Sequence, residues 1–327
     1  MRVTADIRLG GGAVGALAWL TGGRVLALQE VASERQRLIA VDLAKTRVAS
    51  RRALGGSVLR LGRTARELVI LLAPAQAIGP ARIAVADRQG AVCFVRLERI
   101  LAGSKLLGTG SDHRVDTRLP GLAVDAQGRR AFVVDRSLAA EIDLKSLAVS
   151  YRTLERPASF IGGLRNWLEP AAQAKQVSGH MRAAGWLGGD RLAVSGTDTE
   201  QTGTQPAGLL VIDTRRWNIQ TIERRATSFV VAGNLLLATG GSWDPATSKT
   251  IGIGLAAYGF DGESRFRLFD GESAWLAQIY SGQAYVGMSG QEGPLQIVDL
   301  TAGRVVSERR PPLPWLVQGV ASGWWEG

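Results

Sequence analysis

The stretch RLIAVDLAKTRVAS (residues 37–50) contains two short strands joined by a tight turn. Apolar residues run from Leu38 to Val41, Asp42 ends the first strand, and Val48 opens the second strand. An Asp at the first position of a turn accepts hydrogen bonds from backbone N–H groups two or three residues further on. The stretch therefore predicts a β-hairpin whose turn is stabilised by the Asp42 carboxylate.

The same pattern occurs six times in the 327 residues, which predicts a repeat architecture. The Asp residues of the six copies are Asp42, Asp87, Asp143, Asp213, Asp261 and Asp299. The residues that open the following strands are Val48, Val92, Val149, Ile219, Phe266 and Val305. Because each copy places its carboxylate at an equivalent separate turn, we expect these six Asp side chains to be structural rather than one shared catalytic group.

Each copy contains four predicted strands. In the first copy they cover residues 14–19, 24–28, 37–42 and 47–54. Tandem four-stranded units of about 40 to 60 residues are typical of β-propeller blades. The apolar-apolar-Asp step into a turn resembles the blades of the WD40-like group, most of all its YVTN and PQQ-type repeats. This resemblance implies an all-β fold, with one β-propeller domain over residues 1–327.

The ends of the chain predict how such a propeller closes. Arg2-Val3 and Leu9-Gly10-Gly11 repeat the spacing of Arg47-Val48 and Leu54-Gly55-Gly56, so residues 2–9 resemble an outer strand without a blade of its own. Residues 314–327 resemble inner strands. We therefore expect seven blades with a composite closing blade, and six blades are the alternative. The predicted blades are 14–54, 57–97, 120–154, 181–222, 226–269, 274–309, and 314–327 with 2–9.

Composition argues against several classes of function. The net charge is +10, but the cations are 34 Arg and 5 Lys spread along the chain, whereas a nucleic-acid site clusters them on one element. Arg pairs such as Arg51-Arg52 are expected at sheet edges, where charge opposes aggregation. Cys93 lies in an apolar stretch and is expected to be buried.

The amino-acid sequence predicts neither a membrane span nor a signal peptide. The chain has no apolar run of about 20 residues that would predict a membrane span. Residues 1–9 do not have the pattern of a signal peptide. We expect a cytoplasmic protein, or an extracytoplasmic one if a signal peptide was removed.

The long segments between strands all follow a second strand or join two blades. They are residues 73–81, 101–119, 156–180, 196–207 and 240–252, with a possible short helix within 157–176. In a four-stranded antiparallel blade such connections lie on one face, so we expect five loops on the same face. Loops held by a rigid scaffold commonly carry function.

The candidate site residues lie in these segments. They are His113, Trp167, His180, Asp198, Glu200, Trp243 and Asp244. Exposed Trp side chains stack on sugars or partner side chains, so the pattern favours a non-enzymatic binding or scaffold propeller for a protein, peptide or glycan. The alternative is a lactonase-like, metal-assisted hydrolase or lyase at the channel mouth that uses the histidines and carboxylates. No catalytic motif, bound metal or cofactor is predicted, and nucleic acid is an unlikely partner.

Overall fold

A computed structural model describes residues 13–20, 23–32, 35–75, 77–107, 114–125, 127–154, 179–200, 203–244, 249–288 and 295–309. The chain divides into two compact units, a first unit of residues 1–188 and a second unit of residues 189–327. Within the described ranges the structure consists of strands and turns and contains no helix. The all-β expectation is confirmed there.

The first unit contains strands β1 to β14. Their bounds are β1 Ala13–Leu20, β2 Arg24–Ala32, β3 Arg35–Asp42, β4 Arg47–Ala53, β5 Ser57–Arg63, β6 Glu67–Ala73, β7 Gly79–Asp87, β8 Val92–Leu107, β9 Arg114–Leu119, β10 Gly121–Val124, β11 Arg130–Val134, β12 Leu138–Asp143, β13 Val149–Thr153 and β14 Gly179–Gly188. Strands β1 to β4 and β10 to β13 form two separate four-stranded sheets in chain order, and β5 to β8 are also neighbours in order.

Strand β8 departs from the sequence prediction. Part of the segment 101–119 was expected to be a loop, but β8 continues to Leu107 and pairs with β9 in antiparallel fashion. Strand β9 then pairs with β14 in parallel, with Arg118 opposite His180. The predicted loop is therefore mostly sheet among its described residues.

The second unit contains strands β15 to β27. Their bounds are β15 Arg191–Glu200, β16 Gly203–Pro206, β17 Leu209–Asp213, β18 Asn218–Glu223, β19 Ala226–Ala232, β20 Leu235–Asp244, β21 Lys249–Gly252, β22 Leu255–Gly259, β23 Ser264–Leu268, β24 Ala274–Tyr280, β25 Gln283–Met288, β26 Leu295–Asp299 and β27 Arg304–Arg309. Strands β19-β20-β22-β23 follow one another in a five-stranded sheet whose fifth strand, β21, pairs with β20. Strands β24 to β27 form a four-stranded sheet, and β17 lies between β15 and β18.

Four separate sheets therefore each contain four strands in consecutive spatial order: β1 to β4, β10 to β13, β19-β20-β22-β23, to which β21 adds at β20, and β24 to β27. The expected total of seven or six blades remains a prediction. Residues 2–9 and 314–327, which were to form the closing blade, and the possible helix within 157–176 lie outside the described residues.

The second strand of each copy was expected to be covered on both faces, and β6 shows this in the first unit. Val69 and Leu71 pack in one apolar cluster, with residues such as Ile83 and Val133. Ile70 and Leu72, which point the opposite way, pack in another cluster with residues of β2 and β3. Burying one such side chain contributes about 1.5 to 3 kcal/mol. The unbroken apolar run therefore marks a strand between two layers.

The six Asp turns have the predicted geometry. In each turn Oδ1 of the Asp accepts a hydrogen bond from a backbone N–H two or three residues later. The donors are Lys45, Gln89, Lys145, Arg215, Glu263 and Thr301, at 3.1, 2.8, 3.0, 2.9, 3.0 and 2.8 Å. The structural interpretation of the Asp residues is confirmed.

These turns also contain a feature that the sequence did not reveal. The residue four positions after the Asp has a positive φ in four copies: Thr46 at 49°, Leu147 at 60°, Trp217 at 57° and Gly303 at 62°. Only one of them is Gly, although Gly adopts this left-handed conformation with least strain. Each of the other three residues donates its backbone N–H to a backbone carbonyl of the turn: Thr46 to Leu43, Leu147 to Asp143 and Trp217 to Asp213.

Two close contacts align the first strands of neighbouring sheets in the first unit. A Cβ on Gly62 of β5 would lie 2.3 Å from Cγ2 of Val124 on β10. A Cβ on Gly121 of β10 would lie 2.9 Å from backbone atoms of Ala183 and Ala184 on β14. Since these positions have no space for a larger side chain, β5, β10 and β14 approach one another closely. This packing positions β14 beside the end of β11.

Two surface expectations have different outcomes. The Arg51-Arg52 pair lies exposed on β4, an edge strand of its sheet, as expected. Cys93 is exposed on β8, so the prediction of a buried cysteine was wrong. By strand alternation Cys93 lies on the same side of β8 as the buried Val95 and Leu97, but it is the second residue of the strand, and Cys93 and Phe94 at this end are both exposed.

Candidate functional site

A buried histidine-carboxylate pair lies in the first unit. His180 is the second residue of β14 and is 5% exposed. Its Nε2 forms an ion-pair contact with Oδ1 of Asp135, the residue that follows β11. His180 was expected on an exposed loop, so its placement corrects that prediction: β14 begins at Gly179 and takes the histidine into the sheet.

Arg182 completes this buried polar cluster. It lies two residues after His180 and is 1% exposed, which makes it one of the largest fully buried side chains. Burial alone would raise the pKa of Asp135. The hydrogen bond and positive charge of His180, the N–H of Arg136 and the charge of Arg182 outweigh burial and lower the pKa. Asp135 is therefore ionised at neutral pH and holds the histidine ring in place.

A second ion pair lies on the neighbouring strand. Asp116 and Arg118 of β9 approach to 3.5 Å, and Arg118 is opposite His180 in the parallel register. The histidine therefore contacts Asp135 and has the Asp116–Arg118 pair on the adjacent strand. A carboxylate that orients a histidine suits either proton transfer or support of a metal ligand. Within the described ranges, however, no three His, Cys, Asp or Glu side chains are grouped as a metal site requires.

An aromatic-arginine stack lies near the opposite end of β14. The rings of Phe132 and Trp186 are parallel, with centroids 5.3 Å apart. The Arg130 guanidinium lies 5.4 Å from the centroid of each ring and donates to Glu141 at 3.2 Å. Phe132 is fully buried, so this stack joins two strands and is structural. Sequence reasoning did not predict it, because its residues come from separate repeats.

Two β-hairpins in the second unit replace predicted loops. Strand β15 continues through Glu200 and pairs with β16, with Asp198 opposite Gln205. Strand β20 continues through Asp244 and pairs with β21, with Trp243 opposite Thr250. The segments 196–207 and 240–252 are thus ordered hairpins that lengthen the second strands of their sheets, and β16 contacts β20. We name the pair β15–β16 and β20–β21 the hairpin platform.

The two hairpins begin in the same way. Gly196 has a φ of 153° and its carbonyl accepts a 2.8 Å hydrogen bond from Ala207, whereas Gly240 has a φ of 157° and accepts a 2.9 Å bond from Ile253. A hydroxyl residue, Ser195 or Thr239, precedes each glycine. This conformation is essentially restricted to glycine. The Ser/Thr-Gly step at the end of a second strand is the sequence signal that would have predicted the hairpins.

The predicted site residues do not form one site. His113 and Trp167 lie outside the described residues. His180 is buried in the first unit beside Asp135, which the sequence did not single out. Asp198, Glu200, Trp243 and Asp244 are all residues of the hairpin platform, and Asp198 is buried at 9% exposure. The structure therefore brings four of the seven together on two neighbouring hairpins.

The chain is similar to known proteins in fold but not in sequence. No family model and no curated protein matches the sequence. Among solved structures, the Neurospora crassa Pan2 WD40 domain is 8% identical with a TM-score of 0.49, over 89% of this chain and 76% of that one. Prolyl oligopeptidase B from Galerina marginata is 9% identical with a TM-score of 0.51, over 92% of this chain and 42% of that one.

The dihydro-heme d1 dehydrogenase NirN is 12% identical with a TM-score of 0.50, over 93% of this chain and 55% of that one. The chain thus spans about half the length of these two enzymes, and identities this low show the fold alone. Sheets of four antiparallel strands in chain order, each with its Asp turn, decide the assignment. The chain has a β-propeller fold. Among its described residues, this propeller has no helix long and apolar enough to span a membrane.

Proposed function

We propose that this propeller is a non-enzymatic binding or scaffold protein that uses the hairpin platform to hold a protein, peptide or glycan. The observation that supports the proposal is the conversion of two expected loops into neighbouring hairpins. A hairpin has a defined backbone, so it loses less conformational entropy on binding than a mobile loop. The WD40 similarity in fold is consistent with a scaffold role but does not identify a partner.

The platform offers both polar and apolar contacts. Thr204 and Gln205 of β16 are exposed, and so are Lys249 and Thr250 of β21. Ile251 is 39% exposed, although Ile is usually buried. An apolar side chain surrounded by hydroxyl, amide and ammonium groups is the composition of a small recognition surface.

A selection experiment tests the proposal. The full chain is immobilised and used to enrich ligands from a random peptide library and a glycan array. We expect the enriched ligands to bind about tenfold or more weakly to the double variant Lys249→Ser, Ile251→Ser, since few residues dominate an interface. The matched control is Val305→Ser, Val306→Ser on β27, where two exposed apolar residues lie away from the platform. Equal binding to both variants, or no enriched ligand, would contradict the proposal.

The His180–Asp135 pair supports a second candidate function, a metal-assisted hydrolase or lyase. A carboxylate-bound histidine is a common element of such sites, and the pair lies where the segment 155–178 enters β14. This candidate predicts that the purified protein contains a stoichiometric divalent metal and hydrolyses simple lactones or esters. It also predicts that His180→Gln lowers both the metal content and the rate of hydrolysis. A metal content that His180→Gln leaves unchanged would argue against it.

A further inference from the structure

The two units differ sharply in charge. Residues 1–188 contain 28 Lys and Arg against 15 Asp and Glu, whereas residues 189–327 contain 11 against 14. The excess positive charge of the chain therefore belongs to the first unit. Charge that is concentrated in one part of a protein attracts partners of opposite sign.

Strand β4 carries the clearest part of this excess. Arg47, Arg51 and Arg52 are all exposed, and β4 contains no acidic residue. Across the described part of the chain, no carboxylate forms an ion pair with any of the three. Charges without a nearby partner remain available to a ligand.

Other basic side chains continue this surface along the outer strands of the first unit. The Ser50 hydroxyl of β4 donates to the Gln89 carbonyl at 3.2 Å, which joins β4 to the turn before β8. The Arg99 guanidinium of β8 lies 5.2 Å from the ring centroid of Tyr151 on β13, where Arg152 is exposed. We name the surface formed by β4, the 88–90 turn, β8 and β13 the basic rim.

The backbone of β4 is as important as its charge. Strand β4 is the last strand of its sheet, so one of its edges is open within the described residues. The N–H of Leu54 faces β3 and donates to the Gln36 carbonyl at 3.1 Å. Because backbone groups alternate in direction along a strand, Arg51 and Ala53 present their N–H and C=O groups to the open edge. An extended peptide fits such an edge.

We propose that the open edge of β4 binds an extended acidic segment of a partner protein as an additional strand. Main-chain hydrogen bonds to Arg51 and Ala53 supply the pairing, and Arg47, Arg51 and Arg52 select acidic side chains. A nucleic acid satisfies the charges but has no regular row of N–H and C=O groups to match the edge. This surface is separate from the hairpin platform, so the proposal does not depend on the function proposed above.

The first test measures binding of a fluorescein-labelled octapeptide of alternating Glu and Thr to the full chain by fluorescence anisotropy. We expect binding at low salt that weakens about tenfold or more as salt rises to physiological strength, since rim charges are screened. A peptide with Lys in place of Glu should not bind. Absence of binding by the acidic peptide at low salt overturns the proposal.

Charge reversal locates the site. The variant Arg51→Glu, Arg52→Glu should bind the acidic peptide about tenfold or more weakly, because the attraction between the arginines and the peptide carboxylates becomes repulsion. The matched control Arg215→Glu, Arg216→Glu reverses another exposed Arg pair, in a turn of the second unit, and should leave binding unchanged. Melting temperatures verify that both variants fold. If Arg51→Glu, Arg52→Glu does not fold, the variant Arg51→Gln, Arg52→Gln replaces it in the binding measurement. Equal binding by the two charge-reversed variants places the site elsewhere and overturns the proposal.

A third arm tests strand pairing and the class of partner. An octapeptide of the same sequence with its two central, consecutive amides methylated keeps its charge but loses a donor on each of its two edges, so we expect it to bind about tenfold more weakly. Equal binding of the methylated peptide contradicts strand addition. Single-stranded oligothymidine is the competitor, and a tighter affinity for it than for the acidic peptide assigns the rim to nucleic acid and overturns the proposal.

Discussion

Arginines on two outer strands, β4 of the first unit and β23 of the second unit, differ in their carboxylate partners. In the second unit Arg265 of β23 contacts Asp261 and Glu263, and Arg267 contacts Glu223 and Asp270. In the first unit Arg51 and Arg52 have no such carboxylate among the described residues. The same residue type on the same kind of strand is thus part of an internal network on β23 and a surface charge on β4. Edge position alone does not reveal which role an arginine has.

The two units also differ in how deeply each buries an arginine and its partners. The first unit encloses Arg182 completely, beside Asp135 and His180. The second unit keeps Arg267 at 29% side-chain exposure, where it donates to Glu223 and to Tyr258. A buried charge that loses its partner costs far more free energy than an accessible one. The two clusters therefore differ in their expected response to mutation.

The largest expected effect comes from the buried arginine. Replacing Arg182 with Met should lower the free energy of unfolding by about 3 to 5 kcal/mol, because Asp135 loses a compensating charge. The matched change Arg267→Met should cost about 1 to 3 kcal/mol, since water replaces part of the lost hydrogen bonding. Urea unfolding followed by tryptophan fluorescence measures both. Equal losses would show that burial does not distinguish the clusters.

A glycine of the hairpin platform gives the next effect. A Cβ on Gly240 would lie 2.4 Å from the Arg225 carbonyl and 2.5 Å from the Thr227 nitrogen. We expect Gly240→Ala to cost about 1 to 3 kcal/mol from backbone strain, with an added cost from the displaced β19 backbone. Gly203→Ala is the control, because Gly203 also has a positive φ but nothing within 4 Å of its Cβ.

Thermal unfolding of the two glycine variants separates strain from crowding. The melting temperature should fall more for Gly240→Ala than for Gly203→Ala. A reversed order would mean that the start of the β20–β21 hairpin tolerates a side chain, and the platform would then be less rigid than we infer.

The smallest expected effect is a loss of stability at high pH that comes from Tyr258 of the second unit. Burial and the hydrogen bond to Glu223 raise the pKa of Tyr258 to about 12. A raised tyrosine pKa means that the folded chain binds the proton more tightly than the unfolded chain. Stability should therefore fall as the pH rises from 10 to about 12, and Tyr258→Phe should reduce that fall.

At low pH both units should lose stability. Burial opposes ionisation of Glu223, but the Arg225 N–H and Arg267 lower its pKa overall, and the pKa of Asp135 is lowered as well. A carboxyl group whose pKa is lower in the folded chain than in the unfolded chain stabilises the fold at pH values above its ordinary pKa. That stabilisation disappears as the pH falls through the pKa of the folded chain. Chemical unfolding at pH 3 and pH 7 checks the sign, and Glu223→Gln should lose less on acidification than the parent chain.

Much of the fold followed from local pattern. The six Asp turns, the two-faced burial of β6 and the Arg51-Arg52 edge all depend on neighbouring residues, so the sequence predicted them. The site did not follow in the same way. His180 and Asp135 come from different sheets, and the hairpins β15–β16 and β20–β21 have the polar composition that suggests a loop. Cys93 shows the same limit, because its alternation with the buried Val95 and Leu97 does not state how far the core extends toward the end of the strand.

The sequence by itself determined the repeat, the β-propeller architecture and the turn that each Asp stabilises, because hydrogen bonds within four residues and alternation along a strand are local properties. Only the tertiary structure decided that Asp135 binds His180 and that two predicted loops are hairpins. It also decided that the arginines of β23 pair with carboxylates, whereas those of β4 have no such partner among the described residues. Those features depend on which strands pack together, and the distances between strands are not contained in the spacing of residues along one of them.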